Sequence, residues 1–315
     1  MSQKKPKNKT VAVLGYGSQG RAVALNLRDS GYQVNIGLKK NSKSRTIAQK
    51  DKFKIIDEIA NVVSDVSIII FALPDHLQGR LYQLDIIKNL KPKSTLVFLH
   101  GFSVHFGFVV PSKDCDVILI APHAPGISVR EKFLGKKDLS AFYAVYQNHS
   151  GKALGTAYAL AKAVGFKKSK MVKTTFEMEA IGDLFGEQAV LCGGMSELIH
   201  HGYEVLLENG FPPENAYLEV AYQLDLIIDL IKKYGITGMF ERISVAARFG
   251  SVTSGPAIID QKVKKRMQKL FNDIKAGKFA KKLNKIDEND IKILNKSISK
   301  KILPSFEKAA KKFSK

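Results

Sequence analysis

The sequence predicts an α/β fold: a doubly wound parallel sheet over residues 1–174, then an all-helical domain over 175–315 with a basic C-terminal tail. Three observations carry this. Short apolar strands alternate with helical stretches from Val11 to about Gly165. A glycine-rich turn directly follows the first strand. From Phe176 onward the pattern becomes helix after helix, with no Pro- or Ser-rich linker at the junction. Two domains suit 315 residues, and 45% hydrophobic residues supply two cores.

The elements follow in order. TVAVL is a buried strand, and GYGSQG turns the chain into a helix that runs through RAVALNLRD and stops at Gly31. YQVNIGL is the second strand, and KKNSKSRTIAQK passes from loop to helix. FKII is a short strand, and Asp57 opens a helix over DEIANVVSD. VSIIIFALPD is an apolar strand ending at Pro74, with a helical stretch to about Leu90 after it. STLVFLHGF and CDVILIAPHAPG are two more strands. LSAFYAVYQ alternates as a strand does, and the helix in GKALGTAYALAKAVG closes at Gly165. Helices are then expected at about 176–209, 213–234 and 236–249, with basic amphipathic segments beyond.

The net charge of +21 raises the possibility of a nucleic-acid partner, but its distribution argues against one. Residues 1–9 hold four lysines, and residues 261–315 hold 18 Lys and Arg against five Asp and Glu, leaving +4 for residues 10–260. The cations are 42 Lys and 8 Arg, whereas Arg is the usual reader of phosphates and bases. A solvated lysine-rich surface is the expectation, with no nucleic-acid partner. No apolar run approaches a membrane span, and no export signal is visible, so the expected setting is cytoplasmic. Cys115 and Cys192 lack metal-ligand spacing and read as buried free thiols.

Gly15, Gly17 and Gly20 form G-x-G-x-x-G between a strand and a helix. That context makes them the fingerprint of a Rossmann dinucleotide site. The first glycine permits the turn, the second lets backbone approach the pyrophosphate, and the third lets helix pack on strand. The helix N-terminus then faces the anion with free N–H groups. After the second strand come Lys39, Lys40, Ser42, Lys43 and Ser44, with no acid before Asp51. Cations and hydroxyls suit a 2′-phosphate, so NADPH is the expected cofactor. In the helical half, Asp183 and Glu187 stand four residues apart, hence on one helix face, and Glu219 precedes Gln223 by four. A Mg²⁺ site and a pair of solvated surface acids both fit that spacing. Gly182 and Gly186 beside the acids suggest close packing.

Together these residues resemble the ketol-acid reductoisomerase family, in its short form. The resemblance runs from about Val11 to about Lys282, on GYGSQG (15–20), NLRDSG (26–31), PDHLQ (74–78), HGF (100–102) and DLFGEQAVLCGG (183–194). It implies an enzyme that binds NADPH and two Mg²⁺, isomerises a small acetohydroxy acid by alkyl migration and reduces the product ketone, in branched-chain amino-acid synthesis. It also implies a knotted helical domain and active sites shared between paired subunits, hence a homodimer or higher homo-oligomer.

Position by position, the resemblance puts cofactor contacts on Gly15, Tyr16, Gly17, Ser18, Gln19 and Gly20, on Lys39, Ser42 and Ser44, and on Pro74, Asp75, Gln78 and Gly126. Asp183, Glu187, Glu219 and Gln223 take the metal positions, and Ser254 the substrate serine. His100 beside the nicotinamide, His123, Asp183 and Glu187 take the catalytic ones. The departures lie on the substrate side. His123 stands where the family has Lys, Ile127 where it has His, and Gln223 where it has Glu. Val245, Ala246, Arg248 and Ser251 replace Asn, Thr, Glu and Asp. An amide ligates Mg²⁺ with less attraction than a carboxylate, and a neutral imidazole lacks the fixed charge of Lys. His123 also reads as an ordinary loop histidine. The leading expectation is an NADPH-dependent, Mg²⁺-using reductase of this family. The alternatives are a 2-keto acid reductase without alkyl migration and a non-catalytic NADPH-binding dimer.

Overall fold

The computed structural model describes residues 10–314. The basic stretch 1–9 lies outside the described residues. The chain forms two compact units: one holds the chain up to Gly182 together with Ala280–Lys285, the other Asp183–Phe279 and the chain from Ile286.

In the first unit, eight strands make one sheet. They are β1 (Thr10–Leu14), β2 (Gln33–Gly37), β3 (Ile55–Asp57), β4 (Ile68–Phe71), β5 (Thr95–Phe98), β6 (Asp116–Pro122), β7 (Ala141–Asn148) and β8 (Met171–Lys173). Their order is β3-β2-β1-β4-β5-β6-β7-β8. All neighbours are parallel except β6 and β7. The antiparallel β7 is the strand whose sequence alternates, and the apolar strands occupy the parallel centre.

Alternation divides each central strand between two cores. Val11, Val13, Ile70, Val97 and Ile118 face one layer of helices. Ala12, Leu14, Ile69, Phe71, Leu96 and Phe98 face the other, where Phe71 and Phe98 stack at 4.4 Å. The helices are α1 (Ser18–Asp29), α2 (Ser44–Lys50), α3 (Ile59–Asp65), α4 (Asp75–Leu81), α5 (Phe102–His105), α6 (Gly126–Leu134) and α7 (Ala153–Val164). Buried Asn26 of α1 ties three of them together. Its Nδ2 donates to the Val164 carbonyl at 2.9 Å, and its Oδ1 accepts from Arg130 at 2.8 Å. β1 and β4 sit at the point where strand order reverses, so a crevice opens past their C-terminal ends.

α8 (Phe176–Gly186) runs across the unit boundary. The second unit continues with a π-turn at Glu187–Leu191, α9 (Gly193–Glu208), α10 (Pro213–Tyr217), a π-turn at Leu218–Tyr222, α11 (Leu224–Phe240) and α12 (Val245–Ile258). α13 (Gln261–Lys275), α14 (Lys278–Leu283), α15 (Glu288–Lys301) and α16 (Pro304–Phe313) follow. The helices expected at 213–234 and 236–249 differ in detail. Gly235, at φ 72°, breaks the helical path inside α11, as the expected boundary implies, but the helix resumes only as far as Phe240. Ser244 then caps α12, its Oγ accepting from Ala247 N–H at 3.1 Å. Two smaller expectations fail. Cys115 is buried but Cys192 is exposed. Gly182 is exposed and a Cβ there would meet nothing within 4 Å, so it marks no close packing among the described residues of one chain. Among the described residues, no helix is long and apolar enough to cross a membrane.

Candidate active site

The glycine turn behaves as three different constraints. Gly15 sits at φ 94°, and a Cβ there would lie 2.4 Å from the Ala72 carbonyl oxygen of the strand next door. A Cβ on Gly20 would lie 2.5 Å from the Gly15 oxygen. A Cβ on Gly17 would meet nothing within 4 Å, which leaves open backbone at the helix start. α1 is bound to the β6–α6 loop that carries His123. Gln19 Nε2 donates to the Ala124 carbonyl at 2.7 Å, and a Cβ on Gly126 would lie 2.1 Å from the Ser18 oxygen. The other amide atom, Gln19 Oε1, is buried and has no hydrogen-bond partner among the described residues.

Tyr16 turns inward instead. Its hydroxyl donates to Asp51 at 2.8 Å, and its ring meets Phe53 edge-on. Burial, then the Asp51 carboxylate, pushes the Tyr16 phenol far above its ordinary range. Arg21 forks onto both Asp51 oxygens at 2.7 and 2.9 Å and holds that carboxyl below its usual range. The nearest acid after the second strand is therefore already engaged.

In the β2–α2 loop, Lys39, Lys40 and Lys43 are exposed, while Ser42 and Ser44 are half-buried. Ser42 Oγ accepts from Ser44 N–H at 3.3 Å. Arg45, which sequence reasoning passed over, fastens this loop by donating to the carbonyls of Leu38, Lys39 and Ile56 at 3.0, 3.0 and 3.2 Å. His76 lies close enough to feel the Lys39 charge. Burial above all lowers its pKa, Asp75 opposes the shift and Lys39 adds to it.

Past β4 and β5 lies a linked pair. Pro74 caps α4, and Asp75 is its first residue. Asp75 Oδ2 meets His100 Nδ1 at 2.9 Å, while its Oδ1 accepts from Gln78 Nε2 at 3.1 Å. Gln78 also donates to the Leu73 carbonyl at 2.9 Å, so the carboxylate is clamped. A carboxylate on Nδ1 favours the tautomer with its proton there. The HGF turn is held by Glu179, a second residue sequence reasoning missed. Buried Glu179 accepts from Gly101 N–H at 2.5 Å. A glutamate inside the apolar stretch FEMEAIGDLF was the available signal. His123 presents Nδ1 to Ser140 Oγ at 3.3 Å and packs edge-on against Phe142 at 4.2 Å.

In the helical unit, Asp183 and Glu187 are exposed, one turn apart, where α8 gives way to its π-turn. The turn widens because Cys192 N–H donates to the Glu187 carbonyl, five residues back. Gly193 and Gly194 make it possible, since Cβ atoms there would lie 2.3 Å from the Gln188 oxygen and 2.1 Å from the Ala189 oxygen. Glu219 lies in the second π-turn, with Gln223 Nε2 at 3.2 Å from the Leu218 carbonyl and 3.5 Å from Glu219 Oε2. π-turns of this kind recur at functional sites. Ser254 is exposed on α12. Within one chain, and among the described residues, Asp183, Glu187 and Glu219 do not gather to ligand distance of one another.

A strand–glycine turn–helix at the switch point of a mostly parallel sheet, followed by a helical unit bearing acids, is the architecture of a dinucleotide-binding Rossmann protein with a second, helical unit. The family model for the acetohydroxy acid isomeroreductase NADPH-binding domain matches residues 6–170, and that for the ketol-acid reductoisomerase C-terminal domain matches 176–314. The chain belongs to the ketol-acid reductoisomerase family and is an NADP-dependent oxidoreductase. It is 47% identical over 275 residues to the ketol-acid reductoisomerase (NADP⁺) of Pyrobaculum aerophilum, covering 87% of this chain and 84% of that one. It is 45% identical over 272 residues to that of Xanthomonas campestris, covering 86% and 81%. A solved NADH-preferring ketol-acid reductoisomerase from an uncultured archaeon superposes with a TM-score of 0.90 at 38% identity, covering 96% of this chain and 93% of that one. A solved protein from Jannaschia sp., 15% identical with a TM-score of 0.66 over 86% and 98% of the two chains, shares the fold alone.

Proposed function

We propose that this protein reduces 2-keto-3-hydroxy acids with NADPH and Mg²⁺ in branched-chain amino-acid synthesis, as a homodimer, and that it carries out the preceding alkyl migration poorly. Residues 1–174 serve the cofactor and the remainder the substrate. The observation that carries this reading is the Asp183–Glu187 pair, exposed one turn apart where α8 meets a glycine-dependent π-turn, in a chain whose cofactor cradle is intact.

The residues fit both groups. Open backbone at Gly17 and the unpartnered Gln19 Oε1 suit a dinucleotide, and Lys39, Ser42 and Ser44 suit its 2′-phosphate. Asp183 and Glu187 offer the hard oxygen donors that Mg²⁺ prefers, with Glu219 and Gln223 offering a weaker set. When bound, NADPH supplies a hydride and Mg²⁺ polarises substrate oxygens. His100, its Nδ1–H held by Asp75, keeps one ring orientation past the end of β5, on the side where the nicotinamide would bind. Ser254 binds the substrate's polar end.

Reduction needs one polarised carbonyl, whereas migration needs two oxygens held at once. The chain gives the second demand less support. Gln223 brings no charge, and His123 packs on Phe142 where the resemblance implies an extended Lys. The test is NADPH oxidation with Mg²⁺, given 2-acetolactate or 3-hydroxy-3-methyl-2-ketobutyrate in parallel. The second compound should turn over faster. Equal rates would show that migration is unimpaired, and no turnover of either would place the substrate outside the acetohydroxy acids.

A further inference from the structure

Among the described residues, one group of three metal-ligating side chains lies within 4.8 Å ligand to ligand: His200, His201 and Glu204 on α9. None of them belongs to the carboxylates assigned to Mg²⁺. The geometry of the group follows from a helix end. α15 stops at Lys301, and the last-turn carbonyls of a helix have no intrahelical donor. His200 Nε2 lies 3.1 Å from the Lys301 carbonyl oxygen. A carbonyl only accepts, so Nε2 carries the hydrogen and Nδ1 presents a lone pair.

That lone pair points at another acceptor. His200 Nδ1 lies 3.3 Å from Glu204 Oε2, is buried, and makes no hydrogen bond. His201 Nδ1 stands 3.1 Å from the same carboxylate oxygen. On its far side, His201 Nε2 faces Glu197 Oε2 at 3.9 Å, and Glu197 is itself held by Lys301 Nζ. His200 thus backs onto a carbonyl and turns its other nitrogen toward Glu204. This is the outer arrangement that fixes metal-bound histidines. His201 Nδ1–H can donate to that carboxylate oxygen, but the His200 Nδ1 lone pair and the same oxygen repel one another unless a cation lies between them.

The spacing suits a metal ion. Tetrahedral Zn²⁺ with bonds of roughly 2.0–2.1 Å has ligand–ligand edges of about 3.3–3.4 Å. The two contacts to Glu204 Oε2 measure 3.3 and 3.1 Å. Imidazole donors select borderline transition metals over Mg²⁺. Exposure of 70% at His201 leaves room for water in a fourth position.

We propose that His200, His201 and Glu204 bind a divalent transition metal of the Zn²⁺ class. The site lies where the α15–α16 corner packs on α9. There Tyr203 donates to Ser305 Oγ at 3.1 Å and meets Phe306 edge-on at 5.1 Å. Metal binding would lock the tautomer of His200 that grips Lys301, and so fasten the C-terminal helices to α9.

The test uses full-length, tag-free protein, stripped with chelator and then saturated with Mg²⁺. Titration with Zn²⁺ should show one tight site per chain and a rise in melting temperature, and Co²⁺ should give the intense visible bands of a tetrahedral site. His201→Ala, at an exposed position, and Glu204→Gln should each weaken Zn²⁺ at least about tenfold and erase the Co²⁺ bands. Asp183→Asn should leave both readouts unchanged. Equal Zn²⁺ binding by wild type and the H201A/E204Q double variant would overturn the proposal, as would loss of the site in Asp183→Asn. Absence of a stoichiometric site in the wild type would mean that a proton alone bridges the group, and would overturn it too.

Discussion

Gly15 and Gly17 belong to one turn, yet an added methyl tests different things at each. At Gly15 it enters the Ala72 carbonyl and forces a strained φ, costing about 1–3 kcal/mol of stability. At Gly17, with φ −76° and empty space around it, alanine fits the fold. Gly17→Ala should therefore melt within about 0.5 kcal/mol of wild type while binding NADPH at least about tenfold more weakly. Thermal melts with cofactor titration check this, and a G17A protein with unchanged affinity would remove the pyrophosphate from that spot. On the proposed function, cofactor choice rests on the neighbouring loop. Replacing Lys39 by Asp puts a like charge against the 2′-phosphate and offers a ribose partner, so the NADPH-over-NADH preference in KM should fall at least about tenfold. A wild type that binds both cofactors equally would refute the assignment. At this scale the sequence was readable wherever backbone chemistry is local. The glycines and the lysine–serine loop announce themselves in consecutive letters. Arg45 and Glu179 do not, because each acts on carbonyls or an N–H that only folding brings near.

The two π-turns set where the acids project. An α-helix spaces Asp183 and Glu187 correctly on paper, but the wider turn that begins at Glu187 re-aims everything after it. Hydrophobic periodicity cannot register a single inserted residue, so the helix expected over 176–209 is in fact two helices with a π-turn between them. The signal was the pair Gly193–Gly194, whose missing side chains clear the carbonyls five residues back. β8 was missed for a related reason: three residues carry no period. Just past the second π-turn, Gln223 rests its amide nitrogen toward Glu219. Gln223→Glu should tighten Mg²⁺ about tenfold, as carboxylate count does in hard-cation sites, and should raise turnover of 2-acetolactate more than that of the pre-isomerised acid. Calorimetry with paired rate assays reads both. Equal gains on the two substrates would detach Gln223 from migration.

On the scale of the whole molecule, the helical unit leaves much apolar surface open in a single chain. Leu226, Ile236, Val245, Phe249, Val252 and Ile258 are each more than 60% exposed. Isolated soluble chains rarely show so much. Light scattering at micromolar concentration should give at least twice the 34.8 kDa chain mass, and a stable monomer would count against the dimer. The charge pattern, by contrast, was legible at once: lysines crowd the helices from α13 onward as the composition required. One feature of the connectivity was not legible, the return of Ala280–Lys285 to the first unit before the chain leaves again at Ile286. Neither unit is a detachable cassette, since no single scission of the backbone yields two whole pieces. A protease nick after Gly182 should give fragments that co-purify, because the downstream fragment carries the segment around Ala280, 1% exposed, that completes the upstream one. Release of a free, folded upstream fragment would show that this interlacing is dispensable. If it holds, transplanting the cofactor unit into another protein demands two splice points where a linear reading offers one.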